Sequence, residues 1–175
     1  MYYPNRFYKL AQRPHKPLAI ILHSCLCVCD FPVVKIDTPK MQQQIVRESN
    51  IMLYMTRDCV FHYIIELVGS DYEVFMERPI VYSSPYFNTN SDNSIYDSAI
   101  HIGIMGDYNI RKPVARLYDV LAYRLLSPLL YQFNLDQNKV YRHQDIDSSV
   151  AKSCPLSNID ITFLRQRVQN YLVHT

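Results

Sequence analysis

The stretch "KVYRHQDIDSSVAKSCP", residues 139–155, sets His143 and Cys154 eleven positions apart, with Asp145, Asp147 and Lys152 between them. A second histidine, His23, lies far upstream in the apolar segment "LAIILHSCLCVC". Catalytic zinc takes three protein ligands, commonly histidine with cysteine or a carboxylate, and keeps a fourth position open. A histidine ending one strand, a cysteine in the loop beyond it and a histidine from a neighbouring strand can converge on such an ion. Each residue also has a plainer role when taken singly. A histidine near an aspartate is commonly a surface hydrogen-bonded pair, and a lone cysteine commonly packs as a small hydrophobe. His23, Cys25, Cys27 and Cys29 alternate onto one strand face, but each step of two residues moves a thiol about 6–7 Å along the strand. That spacing favours a structural reading of those thiols over a metal cluster.

The elements that must position these residues follow from apolar patterning. Residues 18–29 are apolar on both faces, as in a central strand. "KMQQQIVRESNIMLYM" (40–55) predicts a helix, with Met41, Ile45, Met52 and Met55 near helical spacing. "CVFHYIIELV" (59–68) and "DYEVFME" (71–77) predict a hairpin across Gly69-Ser70. Residues 78–98 read as a long polar loop, and such loops are often functional. "AIHIGIMG" (99–106) is a third apolar strand. A helix is expected from about Pro113, with Leu117, Leu121 and Leu125 inward and a kink or end at Ser127-Pro128. "KVYRHQDI" is a short strand ending near His143. A last helix runs to about Val173, capped by Ser157 or Asn158, with Phe163, Leu164, Val168 and Leu172 inward. Strands and helices alternate without repeats, which predicts an α/β fold: a single-domain mixed β-sheet flanked by helices.

The chain has 175 residues, enough for one domain with a sizeable core, and 49% of them are apolar. Residues 1–17, with three prolines, read as an irregular N-terminal arm, and residues 18–175 as the domain. A net charge of +2 without a basic stripe argues against nucleic acid as a partner. Five cysteines, an odd number, do not space as a disulfide framework and point to reduced thiols. No apolar run reaches the roughly 18–20 residues of a membrane span. No signal peptide is recognisable, so synthesis in the cytoplasm and a monomer are expected, with the final compartment open.

Five segments in order resemble the zinc amidase superfamily of N-acetylmuramoyl-L-alanine amidases and peptidoglycan recognition proteins. "AIILHS" resembles the first strand, which ends in a ligand histidine. "VFHYIIELVG" resembles the strand with a His-Tyr/Phe pair before a glycine turn. "SAIHIGIMGDYN" resembles the Ser-Ile-Gly-Ile strand and its Gly-Asp/Asn-Tyr turn. "YRHQDI" resembles the Gly-His-Arg-Asp-Ile segment, and "KSCP" the closing Lys-x-Cys/Asp-Pro element. The resemblance implies an amidase-like fold, a Zn2+ cofactor held by His23, His143 and Cys154, and Lys152 as the stabiliser of an oxyanion. It implies hydrolysis of the amide between N-acetylmuramic acid and L-alanine, in peptidoglycan or released muropeptides. His62, in the His-Tyr/Phe pair, would be structural.

The pattern departs where the proton carrier is expected. Members carry a tyrosine before the His-Tyr/Phe pair or a glutamate in the central strand; here those positions are Phe61 and Gly103. His101 stands where the family has a small glycine and shares a strand face with Gly103, which makes it a candidate catalytic proton shuttle. Glu66 is a weaker candidate. "VYSSPY" stands in place of a Trp-His-Ala-Gly segment, so the substrate-binding residues are not identified. These departures keep a second function open: a peptidoglycan-binding or regulatory module that retains zinc without efficient hydrolysis. A purely structural zinc fits poorly, because such sites close with four protein ligands.

Overall fold

The computed structural model describes residues 12–13, 15–25, 61–84, 94–151 and 154–173. The helix expected over 40–55, residues 26–29 of the expected first strand, Cys59, residues 85–93 of the long loop and Lys152 lie outside the described residues.

Two apolar hexapeptides form the middle of the sheet. β1 (Ala19–Ser24) and β4 (Ala99–Ile104) are buried along their whole lengths. They pair in parallel from Ala19↔Ala99 to Ser24↔Ile104. Strands buried on both faces read as continuous apolar runs rather than alternating ones, and these do. β2 (Tyr63–Val68) pairs in parallel with β4 and antiparallel with β3 (Asp71–Met76). The β2–β3 hairpin is the expected one, turning at Gly69, whose φ of 63° suits glycine. β5 (Val140–Arg142) adds in parallel to the other side of β1. The result is a five-stranded mixed sheet in the order β3-β2-β4-β1-β5 within a single domain.

The two faces of the sheet differ in chemistry. Ile20 and Leu22 of β1, Ile100, Ile102 and Ile104 of β4, Ile65 and Val140 pack against a helical layer. The opposite face carries Ala19, Ile21, Ile64 and Ala99, with Cys25, Phe61, Tyr96 and Met105 over them. Alternation puts His23, His101 and Gly103 on this second face.

The helical layer is built from α2 (Ala115–Asp119), a π-helical stretch (Val120–Leu126), α3 (Ser127–Phe133) and α5 (Ile161–Val173). Leu117, Leu121 and Leu125 are buried as expected. Ser127-Pro128 neither ends nor breaks the helix. Pro128 has no N–H to give, and the preceding π-helical turn absorbs the change of register, with Ser127 Oγ donating to Ala122 O at 2.8 Å. The helix ends instead at Asn134, in the left-handed region with φ 54°. α5 is capped by Asp160 rather than Ser157 or Asn158: its carboxylate accepts from the Phe163 N–H at 2.9 Å. Leu164 and Val168 face inward, whereas Phe163 stands at the surface, edge-on to Tyr118.

Two further expectations change. The polar loop contains a helix, α1 (Ser94–Ser98), that leads directly into β4. His143 does not end a strand but opens α4 (His143–Ile146). The described part of the N-terminal arm is tied down: the Arg13 N–H donates to Val81 O, and its guanidinium donates to the carbonyls of Ile80, Asp97 and Ala99. Burial lowers the Arg13 pKa to about 10, against the opposing charge of Asp97. No described helix is long and apolar enough to cross a membrane.

Candidate metal centre

His23 is the fifth residue of β1 and lies opposite Gly103 of β4. A side chain at Gly103 has no room: a Cβ there would meet Cys25 Sγ at 2.7 Å and the Phe61 ring at 2.8 Å. This closeness lets Phe61 and Cys25 close over the strand beside His23, with the Phe61 ring centroid 5.6 Å from that of His23.

β5 delivers His143. Arg142 pairs with Leu22, so the next residue emerges beside His23. Asp145 holds the turn there: its carboxylate accepts from the Arg142 N–H at 2.9 Å and pairs with the Arg142 guanidinium at 2.6 Å. The same guanidinium donates to Ile159 O at 3.1 Å. The His143 ring then stands 4.6 Å from His23 and meets the edge of Tyr96 at 5.7 Å.

Cys154 is placed by the turn after β4. Tyr108 N–H donates to Pro155 O and Asn158 N–H donates to Tyr108 O, at 2.9 and 2.8 Å. Asn109 Oδ1 accepts from the Ser157 N–H at 2.9 Å. Gly106, at φ 132°, makes this turn possible and packs against Tyr108, whose ring a Cβ would meet at 3.1 Å. The thiol is buried and accepts from the Ser24 backbone N–H at 3.3 Å.

His23, His143 and Cys154 are all buried, and each offers a ligand atom within 4.8 Å of the others. The three residues therefore can hold a metal. Two imidazole nitrogens and a sulfur whose charge a backbone N–H can stabilise are a donor set suited to zinc. The same side chains come from three separate elements, β1, α4 and the loop after it.

His101 lies beside this group. Its Nδ1 is 2.9 Å from His23 Nε2, and its Nε2 is 2.9 Å from Tyr96 O. His62 holds the backbone of His101, its Nδ1 accepting the His101 N–H at 2.9 Å and its Nε2 donating to Tyr82 O at 3.0 Å. Burial, and then the positive charge its imidazole neighbours could carry, pushes His23 well below the usual histidine range. Burial does the same to His101, with His62 next. Burial lowers His62 to about 3. All three rings are therefore neutral near pH 7. Glu66 is also buried, on the face of β2 that carries Ile64.

Several residues that shape the centre carried no sequence signal. Tyr96 offers both its carbonyl and its ring, but α1 is too short to show periodicity. The Ser24 N–H and Asn109 act through backbone geometry. Lys152 lies outside the described residues.

No family model and no curated protein matches the sequence. Solved structures do match its fold. The chain is similar to the N-acetylmuramoyl-L-alanine amidase LysCS of Clostridium intestinale URNW, with 15% identity, a TM-score of 0.61 and 91% of each chain covered. It is similar to the endolysin of the Thermus scotoductus bacteriophage Ph2119, with 16% identity, a TM-score of 0.62 and 94% of this chain and 95% of that chain covered. A mutant of Drosophila PGRP-LB in complex with tracheal cytotoxin matches at 16% identity and a TM-score of 0.61, over 86% of this chain and 81% of that one. The fold is that of the amidases and peptidoglycan recognition proteins.

Proposed function

We propose that the chain is a zinc-dependent N-acetylmuramoyl-L-alanine amidase, acting on peptidoglycan or muropeptides. One observation carries the reading: in a chain with the amidase fold, His23, His143 and Cys154 bring their ligand atoms within 4.8 Å of one another. Those three would hold the zinc, two as neutral imidazoles and one as a thiolate. Zinc supplies Lewis acidity there, acidifying water and polarising a carbonyl. The Ser24 N–H steadies the negative sulfur of Cys154. Phe61, Ile21 and Ile64 exclude water from the sheet side of the centre, which strengthens every charge interaction made there. Lys152, two residues before Cys154, is the proposed partner of the developing oxyanion.

The reading is tested by incubating the protein and zinc with defined muropeptides and following free stem peptide by mass spectrometry. Release is expected, and His143→Ala should abolish both zinc binding and release. No release at high protein concentration with stoichiometric zinc would sink the amidase reading.

A second reading is favoured by Phe61 and Gly103. Neither carries a group that can move a proton, and the space at Gly103 is filled by Cys25 and Phe61. The chain would then bind peptidoglycan fragments without efficient hydrolysis. Muropeptide binding by calorimetry, with no stem peptide released, is the outcome that selects it.

A further inference from the structure

The hydrogen bonds around His101 determine which nitrogen of His23 carries a proton. His101 Nε2 lies 2.9 Å from Tyr96 O. A carbonyl only accepts, so Nε2 of His101 carries the hydrogen. The ring is fully buried, packed 5.1 Å from His23 and 5.8 Å from His62, an environment that keeps it neutral. Its Nδ1 therefore bears a lone pair. The 2.9 Å contact from that nitrogen to His23 Nε2 is a hydrogen bond only if His23 Nε2 is the donor. His23, equally buried, then has its lone pair on Nδ1. The position of His101 is held in turn, because its N–H donates to His62 Nδ1 while His62 donates to Tyr82 O.

We propose that His101 is a positioning residue: with the Tyr96 carbonyl it fixes His23 as the Nε2–H tautomer and turns Nδ1 of His23 toward His143 and Cys154 for metal binding. The proposal rests on His23 being a metal ligand. A histidine ligand usually donates its other nitrogen to a carboxylate, carbonyl or water, which fixes ring and tautomer. Here a second imidazole takes that place, and a carbonyl fixes the second imidazole. Both nitrogens of His101 are directed at protein groups, an arrangement suited to orienting its neighbour rather than to exchanging protons with a substrate.

The tautomer is read directly from two-bond proton–nitrogen correlation spectra of the full-length metal-free protein. His23 is expected as the Nε2–H form; the Nδ1–H form, or a mixture, would overturn the proposal. Zinc affinity is then measured by competition with a chelator. His101→Leu removes the acceptor and should weaken zinc binding by about 10–100-fold. His101→Asn, whose amide oxygen takes the place of Nδ1, should restore most of that loss. Wild-type affinity in the Leu variant, as a shuttle role would give, overturns the proposal. So does equal weakening in both variants, which a merely structural role would give. If the Leu variant does not fold, the wild-type spectrum and the Asn variant still decide. If the wild-type protein binds no zinc, the amidase reading fails on its own, and the tautomer remains decided by the spectrum.

Discussion

At the scale of single residues, the centre is shaped as much by what is small as by what can react. By the sequence resemblance, Gly103 stands where some amidases carry a glutamate, and the missing side chain is not an empty space waiting for one. Cys25 Sγ and the Phe61 ring already stand within 3 Å of any Cβ built there. Gly103→Glu should therefore not create a proton carrier. It is expected to cost about 1–3 kcal/mol or more of stability through overpacking, seen as a lower urea midpoint, with no gain in stem-peptide release. A stable variant with higher activity would show that the strand can open and that the glycine is a simple loss. The candidate donors were legible through the ordered segments that carry them, since each of the six histidines and five cysteines has a plainer role when taken singly. His101 was legible as unusual, but its partners were not: His23 reaches it only through pairing of β1 with β4, and Tyr96 only because the chain turns in a short helix before β4.

At the scale of elements, short segments carry the candidate ligands, and hydrogen bonds from distant parts of the chain hold those segments in place. α5 packs its Leu164 and Val168 into the core beneath the sheet, and its N-terminus depends on one carboxylate, that of Asp160. Asp160→Ala should cost about 1 kcal/mol, measured by chemical denaturation, while Ser157→Ala should leave stability nearly unchanged. The reverse ranking would restore the cap expected from the sequence. That expectation failed because Ser157, Asn158 and Asp160 are all good capping residues. The choice among them is made by Asn109 and Tyr108, which engage Ser157 and Asn158 from 48 to 50 residues away. The helix through Pro128 was misread for a related reason: proline forbids one hydrogen bond, but a π-helical turn supplies a register that does not need it.

At the scale of the whole molecule, the buried histidines link stability to acidity. His62 is held at about 3 by burial, against about 6.5 in an unfolded chain. Between those values the unfolded state binds a proton that the folded state does not, so stability rises with pH across that window and is lost as pH falls below about 6.5. One such histidine contributes a slope of up to about 1.4 kcal/mol per pH unit. The urea midpoint should be lower at pH 5 than at pH 7, and His62→Asn should make that dependence shallower. An unchanged midpoint between the two pH values would mean that His62 is not buried as a neutral ring.

The amino-acid sequence by itself carried the strands and the candidate donors. Short, almost wholly apolar segments bounded by turn residues suit central strands, and the order of the segments that resemble the amidases singled out His23, His143 and Cys154 among six histidines and five cysteines. The mixed α/β architecture followed from the alternation of those segments. What only the tertiary structure decided was the company each residue keeps: the closing of Phe61 and Cys25 over Gly103, the helix α1 within a polar loop, the tautomer of His23. These depend on strand register and on contacts between residues far apart in the chain, such as His23 and His101 at 78 positions' separation. Local patterning constrains conformation over a few residues, whereas a proton's place on an imidazole depends on the atom facing it across space.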